Sequence, residues 1–461
     1  MANTKTMEDI KKLVKNGDVE FVRVEMPDLS GMSMGYLLDA DFFVKSIKSG
    51  VSMTQVIFPF TANGDIVFGI GLSNDINYEN MGWYPDLSTF RVLPWSDKTA
   101  SVVVHARMLM GDDQSPLHKV APRTVCGNQI EKLHKEHGMK LFSTFEYEFF
   151  LIDPASGKPI HHENILPFNT QHGVKEEDFA RDVMRNMKKI GIAPERFHTE
   201  YGPGQYEIAS SPSFGVQSCD NAFRLKQLVK EISRNHGYKA LWLTKPFHNY
   251  SGCSAHWNHS LWSEDGVNMF YDPDMEYGLS KIARSWLAGL IHHSSALMAL
   301  SSNTPNCVER NNRGGFAPIN NAWGLDNRSC AFRTKNHGKK NVYFEMRISG
   351  AGTNPYLLQA GCLIAGMDGI KKEMELKGSP YEGDISMATE LPQHVSVFPK
   401  SLTEAMDCLL KNEVYVEALG EDFVKIYTGL KKYEDGLAEQ HKAEGDEALF
   451  KWYRDYYSEG L

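Results

Sequence analysis

The sequence lacks the features that define several common classes of protein. Its seven cysteines are odd in number and none has the spacing of a zinc site, so we expect reduced thiols rather than a disulfide framework. The first residues contain no apolar core of a signal peptide, and no apolar run approaches the length of a transmembrane helix. Together these absences predict a cytoplasmic protein.

Two further absences concern partners. The net charge of −9 argues against nucleic acid or an anionic membrane as a ligand. No G-x-x-x-x-G-K-[ST] loop occurs, so any bound ATP must have its phosphates neutralised by metal ions and arginines instead. The sequence therefore excludes the commonest nucleotide-binding loop without excluding nucleotide chemistry.

The length and the turn signals predict two domains and several elements. A chain of 461 residues exceeds one compact core, and the polar run at 111–116 is the best boundary, which gives domains 1–112 and 113–461. Helical spacing predicts a helix at Met7–Lys15, and Pro122 and Gly138 predict the start and the end of another. Asn354 and Pro355 open an apolar helix that we expect to end near residue 376.

Five carboxylates and one imidazole are the most informative residues. Four of them have the alternation of a strand: Glu146 and Glu148 share one face of LFSTFEYEFFLI, while His256 and Glu345 lie on polar faces of CSAHWNHSL and VYFEMRI. We expect all six in strands of a curved sheet, apolar outside and acidic inside. Oxygen-rich ligands of this kind suit Mg²⁺ or Mn²⁺ better than zinc. The six are Glu146, Glu148, Glu200, Glu207, His256 and Glu345.

Taken singly, each of these residues has an ordinary structural explanation. A Glu-x-Glu pair on a strand is usually a solvated face, and a lone strand histidine is more often structural than a ligand. The Gly-Pro-Gly turn between Glu200 and Glu207 favours the functional interpretation, because it lets both carboxylates reach one point.

With these residues and the segments around them, the sequence resembles the glutamine synthetase family over most of its length. The resemblance implies an α+β fold, with an N-terminal β-grasp domain and a C-terminal α/β catalytic domain built on a curved antiparallel sheet. It also implies a homo-oligomer of about twelve chains in two rings, with sites between subunits. The blocks that carry it are FEYEFFLID, EYGPGQYEI, KPFHNYSGCSAHWNHSLW, the stretch from NCVER to AWGLDNRSCAFR, FEMR and NPYLLQAGCLIAGMDGI.

The resemblance also implies roles for individual residues. One metal ion would be held by Glu148, Glu200 and Glu207, and a second by Glu146, His256 and Glu345. The remaining roles implied by the family are glutamate binding by Glu148, Gly252, Arg310 and Arg347, nucleotide binding by Glu207, Ser260, Arg328 and Arg333, and catalysis by Arg310, Arg328 and Glu345.

Several positions depart from the family pattern. The segment 50–60 has no acid where the family presents an Asp to ammonium, and Phe316 occupies the place of a Glu in the flap over the site. Asn258 replaces the second histidine of H-x-H, and Ser251 replaces an Asn near the glutamate amino group. Because ammonium is a small hydrated cation, apolar replacements at its site disfavour it relative to an amine with a hydrocarbon part.

These departures predict an ATP-dependent ligase that joins the glutamate γ-carboxylate to an organic amine through γ-glutamyl phosphate. An arylamine such as aniline ranks first, since it is neutral at pH 7 and would stack on Phe316; an alkylamine such as isopropylamine ranks second and a polyamine third. Two other classes stay open. One is a glutamine synthetase that handles ammonia through Asp65, Glu176 or Glu177, and the other is a non-catalytic structural homologue.

Overall fold

The computed structural model describes residues 5–109, 111, 113–161, 166–311, 317–338 and 341–461. Near the N-terminus, six strands form a mixed sheet in the order β2-β1-β6-β4-β3, with β5 also paired to β6. Strand β1 runs parallel to β6 and the other pairs are antiparallel. The strands are β1 (Phe21–Pro27), β2 (Ser33–Asp39), β3 (Val51–Thr54), β4 (Asn80–Pro85), β5 (Arg91–Val92) and β6 (Thr99–Arg107).

Two helices belong to this N-terminal part. Helix α1 (Met7–Lys15) has the predicted bounds and begins with a capping box between Thr6 and Asp9. Helix α2 (Ala40–Ser46) is capped by the side chain of Asp39. One apolar core continues from this sheet into the rest of the chain, and the boundary near residue 112 stays a prediction.

The second sheet has nine strands and curls strongly into a half-barrel. Its order is β13-β14-β15-β12-β7-β9-β8, with β10 and β11 also paired to β7. All pairs are antiparallel except β13 with β14. The strands are β7 (Met139–Ile152), β8 (Pro194–Thr199), β9 (Gln205–Ser210), β10 (Ser213–Phe214), β11 (Lys239–Leu241), β12 (Ala255–Ser263), β13 (Trp323–Leu325), β14 (Phe332–Asn336) and β15 (Val342–Met346).

Buried aromatic and polar side chains alternate along the long strand β7, and this alternation defines the two faces of the sheet. Phe145, Tyr147 and Phe149 are fully or almost fully buried on one face. Glu146 and Glu148 therefore point to the other face, as the sequence predicted. The apolar face packs on helices, so the carboxylate face is the one available to bind ligands.

Helices cover the apolar face of the half-barrel and form the C-terminal part. The helix that Asn354 caps ends at Lys371, sooner than expected, and Glu373 just beyond it has a left-handed φ of 48°. No helix among the described residues is long and apolar enough to cross a membrane. The helices are α3 (Pro122–His137), α4 (Thr170–Gly173), α5 (Glu177–Lys189), α6 (Gln217–Asn235), α7 (Lys281–His292), α8 (Ser294–Ser301), α9 (Pro305–Val308), α10 (Pro355–Lys371), α11 (Leu402–Lys411), α12 (Glu413–Leu419), α13 (Glu421–Lys442) and α14 (Asp446–Tyr457).

Candidate active site

Strand register brings the predicted metal ligands together. Glu148 on β7 lies directly opposite Glu207 on β9, and Glu146 lies opposite His256 on β12. Residues opposite each other in antiparallel strands have neighbouring side chains on the same face. The carboxylate face of three adjacent strands therefore becomes one continuous acidic surface.

The first group of ligand atoms comprises Glu146, His256 and Glu345, which can offer one atom each within 4.8 Å of one another. His256 Nδ1 lies 3.5 Å from Glu345 Oε1 and 4.0 Å from Glu146 Oε2. The Nε2 atom of His256 is buried and has no hydrogen-bond partner among the described residues. A buried histidine with Nδ1 near two carboxylates fits a divalent cation.

Cations surround Glu345, whose side chain is 1% exposed. Its carboxylate oxygens lie 2.9 Å from Arg333 Nη1, 3.0 Å from Lys335 Nζ and 2.5 Å from Arg347 Nη1. Burial acts to raise the pKa of Glu345, but Arg347 and the other neighbouring cations hold it well below its usual range. These cations therefore favour the ionised form of Glu345, which is the form that ligates metal.

A second region of the site is built around Glu207. Glu148, Glu207 and His256 form one group within 4.8 Å, and His198, Glu200 and Glu207 form another. The expected set of Glu148, Glu200 and Glu207 is thus divided between two groups that share Glu207. Glu200 lies in the turn just after β8 rather than in a strand, so the expectation that all six ligands sit in strands was wrong there.

Two residues of this region were missed from the sequence. His198 Nε2 lies 3.1 Å from Glu207 Oε1, and its Nδ1 lies 3.5 Å from Glu200 Oε1. Arg196 Nη2 contacts Glu146 at 2.7 Å and Glu207 at 3.1 Å. The alternation Arg196-x-His198 places both side chains on one face of β8, and its continuation to Glu200 in the sequence was a signal for them.

Mutual repulsion marks this surface as a cation site. Burial, together with the charges of neighbouring carboxylates, raises the pKa of Glu146 and of Glu148 and raises that of Glu200 to about 8. Glu207 is the exception: burial opposes its ionisation, but His198 and Arg196 lower its pKa. Like charges gathered at this distance are stabilised by divalent cations, so the residues present fit Mg²⁺ or Mn²⁺.

Hydrogen bonds from Ser254, just before β12, and from Gln205, the first residue of β9, orient Glu148. Ser254 donates to it from its backbone nitrogen at 3.1 Å and from its hydroxyl at 2.5 Å. Gln205 Nε2 donates to the same carboxylate at 3.2 Å and to the carbonyl oxygen of Gly252 at 2.9 Å. Ser251 donates to Gln205 Oε1, so Ser251 supports Glu148 indirectly.

Arg310 and Arg347 lie together beside this carboxylate surface. Arg310 is 7% exposed and donates to the carbonyl oxygen of Arg347 at 3.2 Å. Burial lowers the pKa of Arg310 to about 10, which Glu148 partly opposes, so the guanidinium remains charged at neutral pH. A Cβ on Gly252 would lie 2.7 Å from Arg310 Cγ, and glycine there lets Arg310 approach closely.

The remaining predicted residues do not share one location. The side chain of Arg328 is exposed in the turn after β13. Arg333 contacts Asp326 at 2.5 Å as well as Glu345, which ties β14 to that turn. Phe316 and Arg313 fall at 312–316, outside the residues that the structure describes.

A cavity of about 250 Å³ continues from the Glu146 end of the site. Its walls combine aromatic rings with polar groups. Both amide atoms of Asn258, which is 7% exposed, have no partner in the part of the chain that the structure describes. Ser260 Oγ accepts from Trp262 Nε1 at 2.8 Å. An unpaired buried amide facing a cavity with aromatic walls fits a heterocyclic ligand. The aromatic rings of the walls are Phe142, Trp262 and Tyr343.

Two parts of the expected amine region have packing and hydrogen-bond contacts of their own. In the segment 50–60, Met53, Ile57 and Phe58 are buried within this chain, and Phe58 stacks on His118, so packing explains their apolar character. Glu176 accepts from Tyr206 Oη at 2.5 Å, and Tyr206 faces away from Glu207 on β9. Glu176 is therefore not on the carboxylate surface.

The two other acids predicted as possible ammonium ligands make their contacts away from the metal-ligand groups. Glu177 is half exposed and contacts Arg181 at 3.0 Å on α5. Asp65 lies near Thr61, and its backbone nitrogen donates to Thr61 Oγ1 at 3.1 Å. Neither residue contacts the ligand groups described above.

Comparison with known proteins identifies the family. Residues 119–451 match the model of the glutamine synthetase catalytic domain, and the chain belongs to the glutamine synthetase family. The family and the ligand groups together make it an ATP-dependent ligase of the glutamine synthetase kind that uses divalent metal ions.

Individual relatives are similar over almost the whole chain. Lengsin of Rattus norvegicus is 32% identical over 457 residues, covering 96% of this chain and 77% of lengsin. A glutamate–isopropylamine ligase of Pseudomonas sp is 28% identical over 443 residues, covering 94% of this chain and 95% of the ligase. A solved glutamine synthase homologue has a TM-score of 0.82 at 24% identity, covering 95% and 99% of the two chains, which confirms the predicted fold.

Proposed function

We propose that the protein joins the γ-carboxylate of glutamate to a small organic amine, with ATP as the source of energy. The observation that supports this most directly is the set of three overlapping ligand groups, each within 4.8 Å, beside the buried guanidinium of Arg310. A carboxylate has no leaving group, so the γ-oxygen attacks the terminal phosphorus of ATP, forming an acyl phosphate and releasing ADP.

The second step completes the amide. The amine nitrogen attacks the acyl carbon, the carbon–oxygen bond to phosphate breaks, and the departing phosphate takes the proton that nitrogen loses. Divalent ions, when bound, neutralise the charge of the phosphates. Glu146, His256 and Glu345 would hold one ion, and Glu207 would hold another together with Glu148, Glu200 and His198.

The remaining groups of the site bind and orient the substrates. Arg310 and Arg347 would bind the α-carboxylate of glutamate, for which a planar guanidinium provides paired donors. Arg328, Arg333 and Ser260 would lie on the nucleotide side, where the cavity has room for a ring system. Burial of the site excludes water, which protects the acyl phosphate from hydrolysis.

For the amine, an arylamine remains our first choice and an alkylamine the second. The missing acid in 50–60 and the replacement of the flap Glu by Phe316 favour a hydrocarbon part over ammonium. Similarity to a glutamate–isopropylamine ligase over 95% of its length specifically supports the alkylamine. Ammonia is the alternative that the family name itself favours.

The test is ADP release with glutamate, Mg²⁺ and ATP in the presence of aniline, isopropylamine, putrescine or ammonia. We expect kcat/KM for aniline or isopropylamine to exceed that for ammonia. Release with ammonia alone would make the protein an ordinary glutamine synthetase. Absence of release with every amine would indicate a non-catalytic homologue.

The same family resemblance supports assembly into about twelve chains in two rings, with sites between subunits. Light scattering of the purified protein measures this directly, and a monomer mass would contradict it.

A further inference from the structure

An unusual turn lies beside the Glu200 end of the site. The backbone nitrogen of Asn169 donates to the carbonyl oxygen of Leu166 at 3.2 Å, which closes a four-residue turn with Pro167 in its second position. Phe168, in the third position, has a left-handed φ of 62°. A positive φ at that position of a proline turn favours Gly or Asn, and a bulky aromatic residue there is strained.

The strained residue is held against a metal-site histidine. The backbone nitrogen of Phe168 donates to the carbonyl oxygen of Thr199 at 3.1 Å, at the end of β8. Its ring centroid lies 4.8 Å from that of His198, and His198 Nδ1 lies 3.5 Å from Glu200 Oε1. The ring therefore stands at the edge of the His198–Glu200–Glu207 group.

Core packing does not explain this ring. Phe168 is 63% exposed, and so is Leu166 at the start of the same turn. Tyr201, which directly follows Glu200, is 55% exposed. Exposed apolar side chains at the edge of a polar site are typical of a binding surface, and backbone strain concentrates at functional sites.

The combination has the chemistry of an amine site. A small organic amine presents a nitrogen that carboxylates attract and a hydrocarbon part that needs apolar cover. Here Phe168 stands one histidine ring away from Glu200, at the edge of the carboxylate group that would hold the metal ion. The segment 50–60, by contrast, buries Met53, Ile57 and Phe58 within this chain.

We propose that Phe168 is a specificity-determining residue that covers the hydrocarbon part of the amine substrate, together with the exposed Leu166 of the same turn. This inference rests on the proposed function and deepens it, because it places the selectivity for organic amines on the turn at 166–169. The occupant is a primary amine with a small alkyl or aryl group.

The experiment compares Phe168→Asn with Phe168→Leu. The two new side chains have nearly the same shape, and Asn adopts the left-handed conformation readily, so Phe168→Asn is expected to fold. Because only Leu keeps the surface apolar, Phe168→Asn should lower the ratio of kcat/KM for isopropylamine to that for ammonia by about tenfold or more. Phe168→Leu should keep most of the ratio. Phe42→Ala, which removes an exposed ring on α2, is the matched control and should change nothing.

The outcomes separate this inference from the proposed function. If the wild type uses ammonia alone or no amine, the proposed function fails and this inference with it. If the wild type prefers isopropylamine or aniline and Phe168→Asn keeps the same ratio, only the inference is overturned. A uniform loss for all amines in Phe168→Asn, with a raised Mg²⁺ requirement, would show that the ring merely supports His198 and would also overturn it. Thermal unfolding of each variant confirms that the folded proteins are being compared.

Discussion

Replacing Glu345 by Gln should remove both a metal ligand and the centre of a buried charge network. The carboxylate is 1% exposed and lies within 3.0 Å of cationic nitrogens from Arg333, Lys335 and Arg347. A neutral amide would leave these cations without their shared partner, and it would remove one negative oxygen from the group with Glu146 and His256. Stability and activity should therefore both fall.

The size of the stability loss follows from the burial. Breaking a buried ion pair by removing one partner typically costs about 3–5 kcal/mol, because the remaining charge is left uncompensated. Since the pKa of Glu345 is held well below its usual range, its contribution is present above pH 4.5 and is lost as the pH falls through the folded-state value. The difference between wild type and Glu345→Gln should thus be greatest near neutral pH and shrink in acid.

Thermal unfolding at a fixed scan rate, with and without Mg²⁺, measures this difference, and ADP release measures turnover. We expect a lower unfolding midpoint, loss of most of the Mg²⁺ stabilisation and no turnover. Glu131→Gln is the control, because Glu131 forms an exposed ion pair with Lys135 on α3 and such pairs contribute little. An unchanged midpoint with retained turnover at the same Mg²⁺ requirement would refute the role of Glu345.

Three further predictions test other parts of the account. Arg347→Lys should raise the KM for glutamate strongly, since an ammonium group cannot reproduce paired guanidinium contacts; a change confined to the KM for ATP would give Arg347 another role. Asn258→Leu should raise the KM for ATP but not for glutamate, because it removes an unpaired buried amide from the cavity wall; unchanged steady-state constants would contradict this. Burial raises the pKa of Asp28 to about 7, so its contribution to stability is present below pH 3.8 and is lost as the pH rises through 7. Asp28→Asn should flatten the dependence of the unfolding midpoint between pH 5 and 8, and an unchanged slope would assign it to other groups.

The sequence predicted the strand faces of the site well, because alternation along a strand is a local property. Glu146 and Glu148 face away from the buried aromatic residues of β7, as expected. The pairing of Glu148 with Glu207, and of Glu146 with His256, depends on register between distant strands. Local patterns do not encode that register, and only family resemblance supplied the ligand sets.

The features of the site that the sequence did not predict depend on tertiary contacts. Arg196 and His198 showed the spacing of a strand face, but nothing local indicated that this face meets Glu146 and Glu207. The apolar residues of 50–60 have the composition of a binding loop and turned out to pack inward. The exposed Phe168 shows the reverse case, since its importance lies in a backbone angle that a sequence does not display.

The most direct test of the account is identification of the product. The protein is supplied with glutamate, ATP and Mg²⁺ together with equal concentrations of ammonia, isopropylamine and aniline, and the products are separated by mass. We expect a γ-glutamyl alkylamide or anilide in excess over glutamine, formed in equal amount with ADP and phosphate. Glutamine as the main product, or ADP without any amide, would contradict the proposal that this chain ligates glutamate to an organic amine.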